Sequence, residues 1–251
     1  MRTGGSGIIG FYDGPLGALA ARFIGDKLCE AWGDAHGLCV AGYGYASPYL
    51  PRLTEATKRV ALTPAGIGVT RDEGLPAARV ADALWPLPNE SLDRLLIVHG
   101  LEEAPEPRRT LREAWRVLAD DGLLIVVCAN RRGLWALAEG TPFGAGRPYS
   151  RSQLDALLRA AMFTPTAYAQ ALHFPPLRHE ALIGLAGAWE RLGEALTGLP
   201  ILLPSLAGVN LIEARKGLVA PVSGSKAEVF GPVFAGGGLK PVRRRSAQRQ
   251  A

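Results

Sequence analysis

Glycines and polar side chains follow the ends of several apolar runs in this sequence. Gly42 and Gly44 come directly after the uncharged run 38–41, and His99 ends the run that begins at Asp93. Glycines let a backbone pass close to a ligand, the first N–H groups of a helix favour a polar or anionic group, and an imidazole exchanges protons near neutral pH. We therefore expect a ligand cleft at 42–46, followed by a helix, with a base nearby; the alternative for 42–46 is a tight strand-to-helix turn without a ligand.

The base has two candidates, His99 and Tyr12. For His99 the alternative is a hydrogen-bonded structural histidine. Six residues beyond the run 123–128 are candidates for substrate binding: Asn130, Arg131, Arg132, Phe143, Arg147 and Tyr149. The arginines could hold an acidic substrate or be solvated, and the segment 141–149 could be a lid or a plain surface loop. The adjacent carboxylates Glu102 and Glu103 fit capping and solvation better than catalysis.

Strands and helices alternate around these residues. Uncharged runs at 38–42, 59–63, 93–99 and 123–128 predict buried strands, and 209–214 predicts a late one. Helical periodicity covers 14–32 and 111–118, a further helix is expected at 181–196, and a capping box at Ser150 and Gln153 predicts a helix that Pro165 ends. The alternation predicts an α/β fold with a parallel sheet.

Composition excludes several classes of protein. The 251 residues are 48% hydrophobic and 20% charged, which is typical of a folded domain. The net charge of +5 is matched by five basic residues in an acid-free terminus: Lys240, Arg243, Arg244, Arg245 and Arg249. We therefore expect no nucleic-acid binding except through this tail. Three scattered cysteines and four histidines without ligand spacing predict no metal site, and the absence of any signal peptide or membrane span predicts a cytoplasmic protein without a membrane partner.

The stretch from Gly42 to Asn130 resembles class I S-adenosylmethionine-dependent methyltransferases, of the kind that includes the ubiquinone and menaquinone C-methyltransferases. In order, it contains Asp82 before a Leu-Trp-Pro step, a strand starting at Ser91-Leu92-Asp93, an H-x-L-E corner at 99–102, an LRE-x-x-RVL helix at 111–118 and a glycine-led strand at 122–124. Order and spacing together make this pattern specific.

The resemblance implies a Rossmann-like, seven-stranded, mostly parallel sheet with flanking helices, and S-adenosylmethionine at the carboxyl ends of its first strands. It implies a methyltransferase-like domain over 1–217, including the N-terminal helix 14–32, and an irregular Gly/Pro-rich segment with a basic disordered tail over 218–251. The residues it places at the cofactor are Gly42, Tyr43, Gly44, Ala46, Thr63, Asp82, Ala83, Leu84 and His99. Asp82 would accept from the adenine amino group, and Ala83 would donate from its backbone.

Three positions depart from the family's pattern. Val40 stands where an acidic residue is expected, and Ala46 replaces the third glycine. The carboxylate expected to hold the ribose hydroxyls falls in 62–65, Leu-Thr-Pro-Ala, which contains no acid. Losing this charge-assisted contact could cost about 2–4 kcal/mol of cofactor affinity.

Three functions stay open at this point. The first is a methyltransferase that acts on a small molecule or a protein side chain. The second is a catalytically inactive methyltransferase-like protein that binds a protein partner or serves as a scaffold. The third is a nicotinamide oxidoreductase, because Gly42-x-Gly44 after a strand also suits that fold. The Asp82 and Leu-Trp-Pro pattern favours the first.

Overall fold

The computed structural model describes residues 6–65, 67, 74–138, 141–144, 146–176, 184–197 and 206–217. The strands are β1 (Cys39–Gly44), β2 (Lys58–Pro64), β3 (Ala77–Val80), β4 (Leu92–Val98), β5 (Leu118–Ala129), β6 (Phe163–Ala171) and β7 (Val209–Lys216). The helices are α1 (Ser6–Tyr12), α2 (Pro15–Trp32), α3 (Pro107–Val117), α4 (Arg151–Ala160) and α5 (Ala186–Thr197). Single 3-10 turns lie at Leu50–Arg52 and Leu134–Leu137.

The seven strands form one sheet in the order β3-β2-β1-β4-β5-β7-β6. Strands β1 to β5 pair in parallel, and β7 pairs antiparallel with both β5 and β6. The predicted fold class, an α/β fold with a seven-stranded, mostly parallel sheet, is therefore confirmed. The strand order reverses between β1 and β4, and in such sheets ligands bind at the carboxyl ends of the strands that flank the reversal.

Apolar layers cover both faces of the sheet. On one face, α1 and α2 pack through Ile8, Leu16 and Ile24 against a layer that contains Val98. On the other face, α3 and α4 pack through side chains such as Leu111 against the strands. Parallel strands buried on both faces read as continuous apolar runs, which is why four of them were visible in the sequence.

Several local predictions are confirmed. Helix α2 covers the predicted helix 14–32, α3 contains the periodic stretch 111–118 up to Val117, and β7 contains 209–214. Both hydrogen bonds of the capping box form at the start of α4: Ser150 accepts from the Gln153 amide, and the Gln153 side chain accepts from the Ser150 amide.

Other local predictions are wrong. No α-helix follows β1, where turns and one 3-10 turn connect to β2, because prolines at 48 and 51 disfavour helix at the residues before them. Helix α4 ends at Ala160, and Pro165 lies inside the edge strand β6, at a shift of register. Three elements were not predicted, α1, β3 and β6, and each of them is short or lies at an edge of the sheet. The predicted tail, 218–251, lies outside the described residues.

The end of β1 is held against the end of β4 by its backbone. Gly44 has φ +83°, and the Tyr45 amide then donates to the Val98 carbonyl at 2.7 Å. A Cβ at Gly44 would lie 2.3 Å from the Val98 oxygen. Glycine is therefore required here for both its backbone angle and its lack of a side chain.

We expect Gly44→Ala to lower the free energy of unfolding more than Gly37→Ala does. Gly37 also has a positive φ, +75°, but a Cβ there meets nothing within 4 Å. The two variants share the backbone cost of about 1–2 kcal/mol, and Gly44→Ala adds an overlap cost of about 1–3 kcal/mol. Urea denaturation followed by tryptophan fluorescence measures the difference, and equal losses would contradict this packing.

Candidate active site

His99 lies at the reversal of strand order, directly after β4. Its backbone has φ +50°, and its amide donates to the Val127 carbonyl at 3.1 Å. Its side chain is almost completely buried. A non-glycine residue with positive φ is uncommon and draws attention to this position.

Three buried polar side chains form a chain of hydrogen bonds through His99. The Tyr12 hydroxyl lies 2.9 Å from His99 Nε2, and His99 Nδ1 lies 3.0 Å from Glu102 Oε1. The same Glu102 oxygen accepts from the Ala129 amide at 2.8 Å. His99, Glu102 and Tyr12 are 2%, 5% and 6% exposed, so these bonds form away from bulk water, where they are stronger.

Aromatic rings enclose this chain of hydrogen bonds. The Tyr12 ring stacks on Tyr45 with centroids 4.4 Å apart and planes at 16°, and Phe143 meets the His99 ring edge-on at 5.1 Å. Burial, followed by the neighbouring Tyr49 hydroxyl, raises the pKa of Tyr12 well above its ordinary value. The Tyr12 hydroxyl therefore keeps its proton at neutral pH.

The Cys128 thiol is buried beside the Glu102 carboxylate. Burial raises the pKa of this thiol well above its ordinary value, and the negative charge of Glu102 raises it further. Because the thiolate is the nucleophilic form of cysteine, this environment suppresses the reactivity of Cys128.

Asp82 lies two residues beyond β3, at the same edge of the sheet. Its Oδ1 accepts a hydrogen bond from the Tyr43 hydroxyl at 3.0 Å, and the Tyr43 ring packs 4.8 Å from Trp85. Thr63 is buried near the end of β2, Ala83 is half-buried, and Leu84 is 73% exposed. The predicted adenine contacts therefore share one edge with the end of β1.

In the bend 42–46, the space that a side chain would occupy at Gly42 or Gly44 is already filled by other atoms of the protein. A Cβ at Gly42 would lie 2.6 Å from the Ala46 Cβ, and one at Gly44 would meet the end of β4. Ala46 itself is buried. The need for close packing thus accounts for both glycines, independently of any ligand.

Backbone contacts bring some of the six candidate substrate residues together: Asn130 pairs with Tyr149 in an isolated bridge, and the Arg131 amide donates to the Tyr149 carbonyl at 3.2 Å. Phe143 contacts His99, whereas the Asn130 side chain is buried and donates to the Ala207 carbonyl. Tyr149 is half-buried, and burial, with the nearby Cys128 and Glu102, raises its pKa to about 12. The exposed members are Arg131, Arg132 and Arg147.

Glu102 is the site residue that the sequence interpretation missed. It was assigned to capping and solvation together with Glu103, and this is wrong, because its side chain is buried against His99. The missed signal was the spacing itself: a histidine and a glutamate three residues apart, just after a buried strand, meet across one turn.

No group of three His, Cys, Asp or Glu residues in the described ranges could hold a metal ion. No helix within those ranges is long and apolar enough to cross a membrane.

A separate cavity of about 730 Å³ lies at the amino ends of the strands, on the side of the sheet away from His99 and Asp82. It is lined by the beginnings of β1, β2 and β4, and its polar members are Cys39, Thr57, Lys58, Arg59 and Ser91. In open α/β sheets ligands bind at the carboxyl ends of the strands, so this cavity is not where the fold places a reaction.

Residues 38–126 match the family model described as a methyltransferase domain. The chain is also 32% identical over 146 residues to the uncharacterised YafS protein of Escherichia coli (strain K12). That match covers 57% of each protein, so the chain spans 57% of the length of this curated relative.

Two solved structures show the same fold. A SAM-dependent methyltransferase of Thermotoga maritima has a TM-score of 0.51 and 18% identity, over 80% of this chain and 99% of that one. The cyclase SpnF has a TM-score of 0.54 and 18% identity, over 78% of this chain and 81% of that one. These matches give no support to the alternative of an inactive scaffold.

We expect iodoacetamide to label Cys29 and Cys39 in the folded protein and to leave Cys128 unlabelled at mildly alkaline pH. Cys29 and Cys39 are partly exposed, whereas Cys128 is buried and its pKa is raised, which lowers its thiolate fraction. Peptide mass spectrometry measures the labelling, and urea-unfolded protein, in which all three should react, is the control. Equal labelling of the three cysteines in the folded protein would contradict this environment.

Proposed function

We propose that this protein is an S-adenosylmethionine-dependent methyltransferase with its site at the carboxyl ends of β1, β2, β3 and β4, because residues 38–126 match the methyltransferase domain model and the described chain shares the fold of a SAM-dependent methyltransferase. The observation that carries the proposal is the position of Asp82 and His99 along this one edge. The acceptor would be a small molecule or a protein side chain.

The adenine end of this edge suits the cofactor. The Asp82 carboxylate is only half-buried, its Oδ1 is held by the Tyr43 hydroxyl, and the adjoining Ala83 and Leu84 are partly or largely exposed. A positioned carboxylate accepts a hydrogen bond from an adenine amino group, and an exposed apolar side chain offers a surface to the base. Asp82, Ala83 and Leu84 would hold this end.

The ribose end fits less well. β2 ends in Thr63 and Pro64, neither of which supplies a carboxylate, and the Thr63 side chain is buried. A neutral hydroxyl offers a weaker contact than a bidentate carboxylate. We therefore propose weak cofactor binding that depends mainly on the adenine contacts.

When bound, S-adenosylmethionine supplies an activated methyl group, and alignment of the acceptor is most of what the protein must contribute. An acceptor that carries a proton on its attacking atom must also lose that proton. His99 Nε2 lies at the end of β4 inside an aromatic enclosure and would take the proton as a general base. Phe143 would exclude water from that side.

We expect Asp82→Ala to weaken binding of S-adenosylmethionine at least tenfold, about 1.4 kcal/mol, because it removes the adenine acceptor. Isothermal titration calorimetry measures the affinity. Asp26→Ala is the matched control, since Asp26 is an exposed carboxylate on α2 that pairs with Arg52, and it should leave the affinity unchanged.

Two further measurements decide between the functions. Saturable binding of S-adenosylmethionine and its demethylated product, without binding of NAD, supports the methyltransferase over the oxidoreductase. Because the cyclase SpnF shares the fold, transfer of a labelled methyl group must be shown as well. Wild-type protein that binds none of the three compounds would refute the proposed function, and an unchanged affinity in Asp82→Ala would refute the adenine placement.

A further inference from the structure

We propose that Glu102 is a positioning residue that fixes the proton of His99 on Nδ1. We also propose that the Tyr12 hydroxyl donates a hydrogen bond to His99 Nε2 until the methyl acceptor replaces that hydroxyl. The role of His99 as a base in this inference rests on the proposed function. The positions of the protons rest on the geometry around the imidazole.

The hydrogen bonds around Glu102 determine which way the protons point. The Ala129 amide can only donate, so Glu102 Oε1 is an acceptor in that bond. The same oxygen lies 3.0 Å from His99 Nδ1. With Oε1 accepting from both groups, Nδ1 carries a proton, which leaves the lone pair of the neutral ring on Nε2.

Tyr12 provides the donor that this lone pair requires. Its hydroxyl keeps its proton and lies 2.9 Å from Nε2, so it donates to His99. Tyr12 is the last residue of α1, and its ring is held by stacking on Tyr45. An acceptor hydroxyl or amine that reaches Nε2 must therefore replace the Tyr12 hydroxyl, and the base is already oriented when it arrives.

A second buried His–Glu pair in the same chain offers a comparison. Glu190 accepts from the Leu172 and His173 amides at 2.7 and 2.6 Å, and its Oε1 lies 3.2 Å from His173 Nδ1. Nε2 of His173 is buried and has no hydrogen-bond partner within the described ranges. Of these two pairs, the one at His99 has a tyrosine hydroxyl on Nε2.

The test is the tautomer of His99, measured by long-range 1H–15N NMR on histidine-labelled protein at neutral pH. The set of imidazole signals that disappears in His99→Gln is the one that belongs to His99. In the wild type we expect Nδ1 to carry the proton and Nε2 to be an unprotonated acceptor. In Tyr12→Phe, which keeps the stacked ring, the Nδ1–H tautomer should persist while the Nε2 resonance shifts.

Glu102→Leu removes the oxygen that accepts from His99 Nδ1. We expect His99 to lose its exclusive Nδ1–H form in this variant. Glu190→Leu is the matched control, because it alters the His173 pair in the same way and should leave the His99 signals unchanged. A merely structural role for Glu102 would lower the stability of Glu102→Leu without changing the tautomer of His99.

A proton on Nε2 in the wild type, or an unaltered tautomer in Glu102→Leu together with an unshifted Nε2 in Tyr12→Phe, would overturn the inference. These outcomes are separate from the fate of the proposed function. If S-adenosylmethionine binds and His99 carries its proton on Nε2, only the inference fails. If the cofactor never binds the wild type, the proposed function fails, whatever the tautomer.

Discussion

The site depends on the join between β1 and β4 at the reversal of strand order. The parallel ladder ends at Gly44 and Val98, and the Tyr45 amide then bonds back to the Val98 carbonyl. This bond sets the direction of the chain on both sides, so that Tyr45 lies under the Tyr12 ring and His99 turns into the interior. No side chain at position 44 is compatible with this closeness.

A buried carboxylate is the second constraint. Taking a glutamate carboxyl group out of water is costly unless hydrogen bonds compensate. Glu102 Oε1 has such partners in His99 and the Ala129 amide, whereas Glu102 Oε2 is buried and has no hydrogen-bond partner among the described residues. The contacts of Oε1 join the corner after β4 to the end of β5, so they fix the imidazole relative to two neighbouring strands and orient the candidate base.

Much of this arrangement was predictable from sequence, for physical reasons. Strands buried on both faces appear as uncharged runs, and a glycine and a histidine mark the carboxyl ends of β1 and β4. The resemblance predicted Asp82 near that edge, but the structure adds that Tyr43 holds its carboxylate. What the sequence does not show is contact between distant segments, such as Tyr12 with His99.

Two errors have the same origin. Glu102 was taken as solvated because charged residues are rarely buried, yet a specific partner one turn away reverses that tendency. A helix was expected after β1 because glycine turns often lead into one, but the following prolines limit the chain to a single 3-10 turn. In both cases a local rule was correct on average and was overridden by particular neighbours.

A crystal structure of the protein grown with the demethylated cofactor, S-adenosylhomocysteine, tests the central claim most directly. The account predicts the nucleoside along the carboxyl edge, with its adenine amino group on the Asp82 carboxylate and its sulfur end toward His99. A ligand seated instead in the cavity at the amino ends of the strands, or an edge without ligand at saturating concentration, would contradict it.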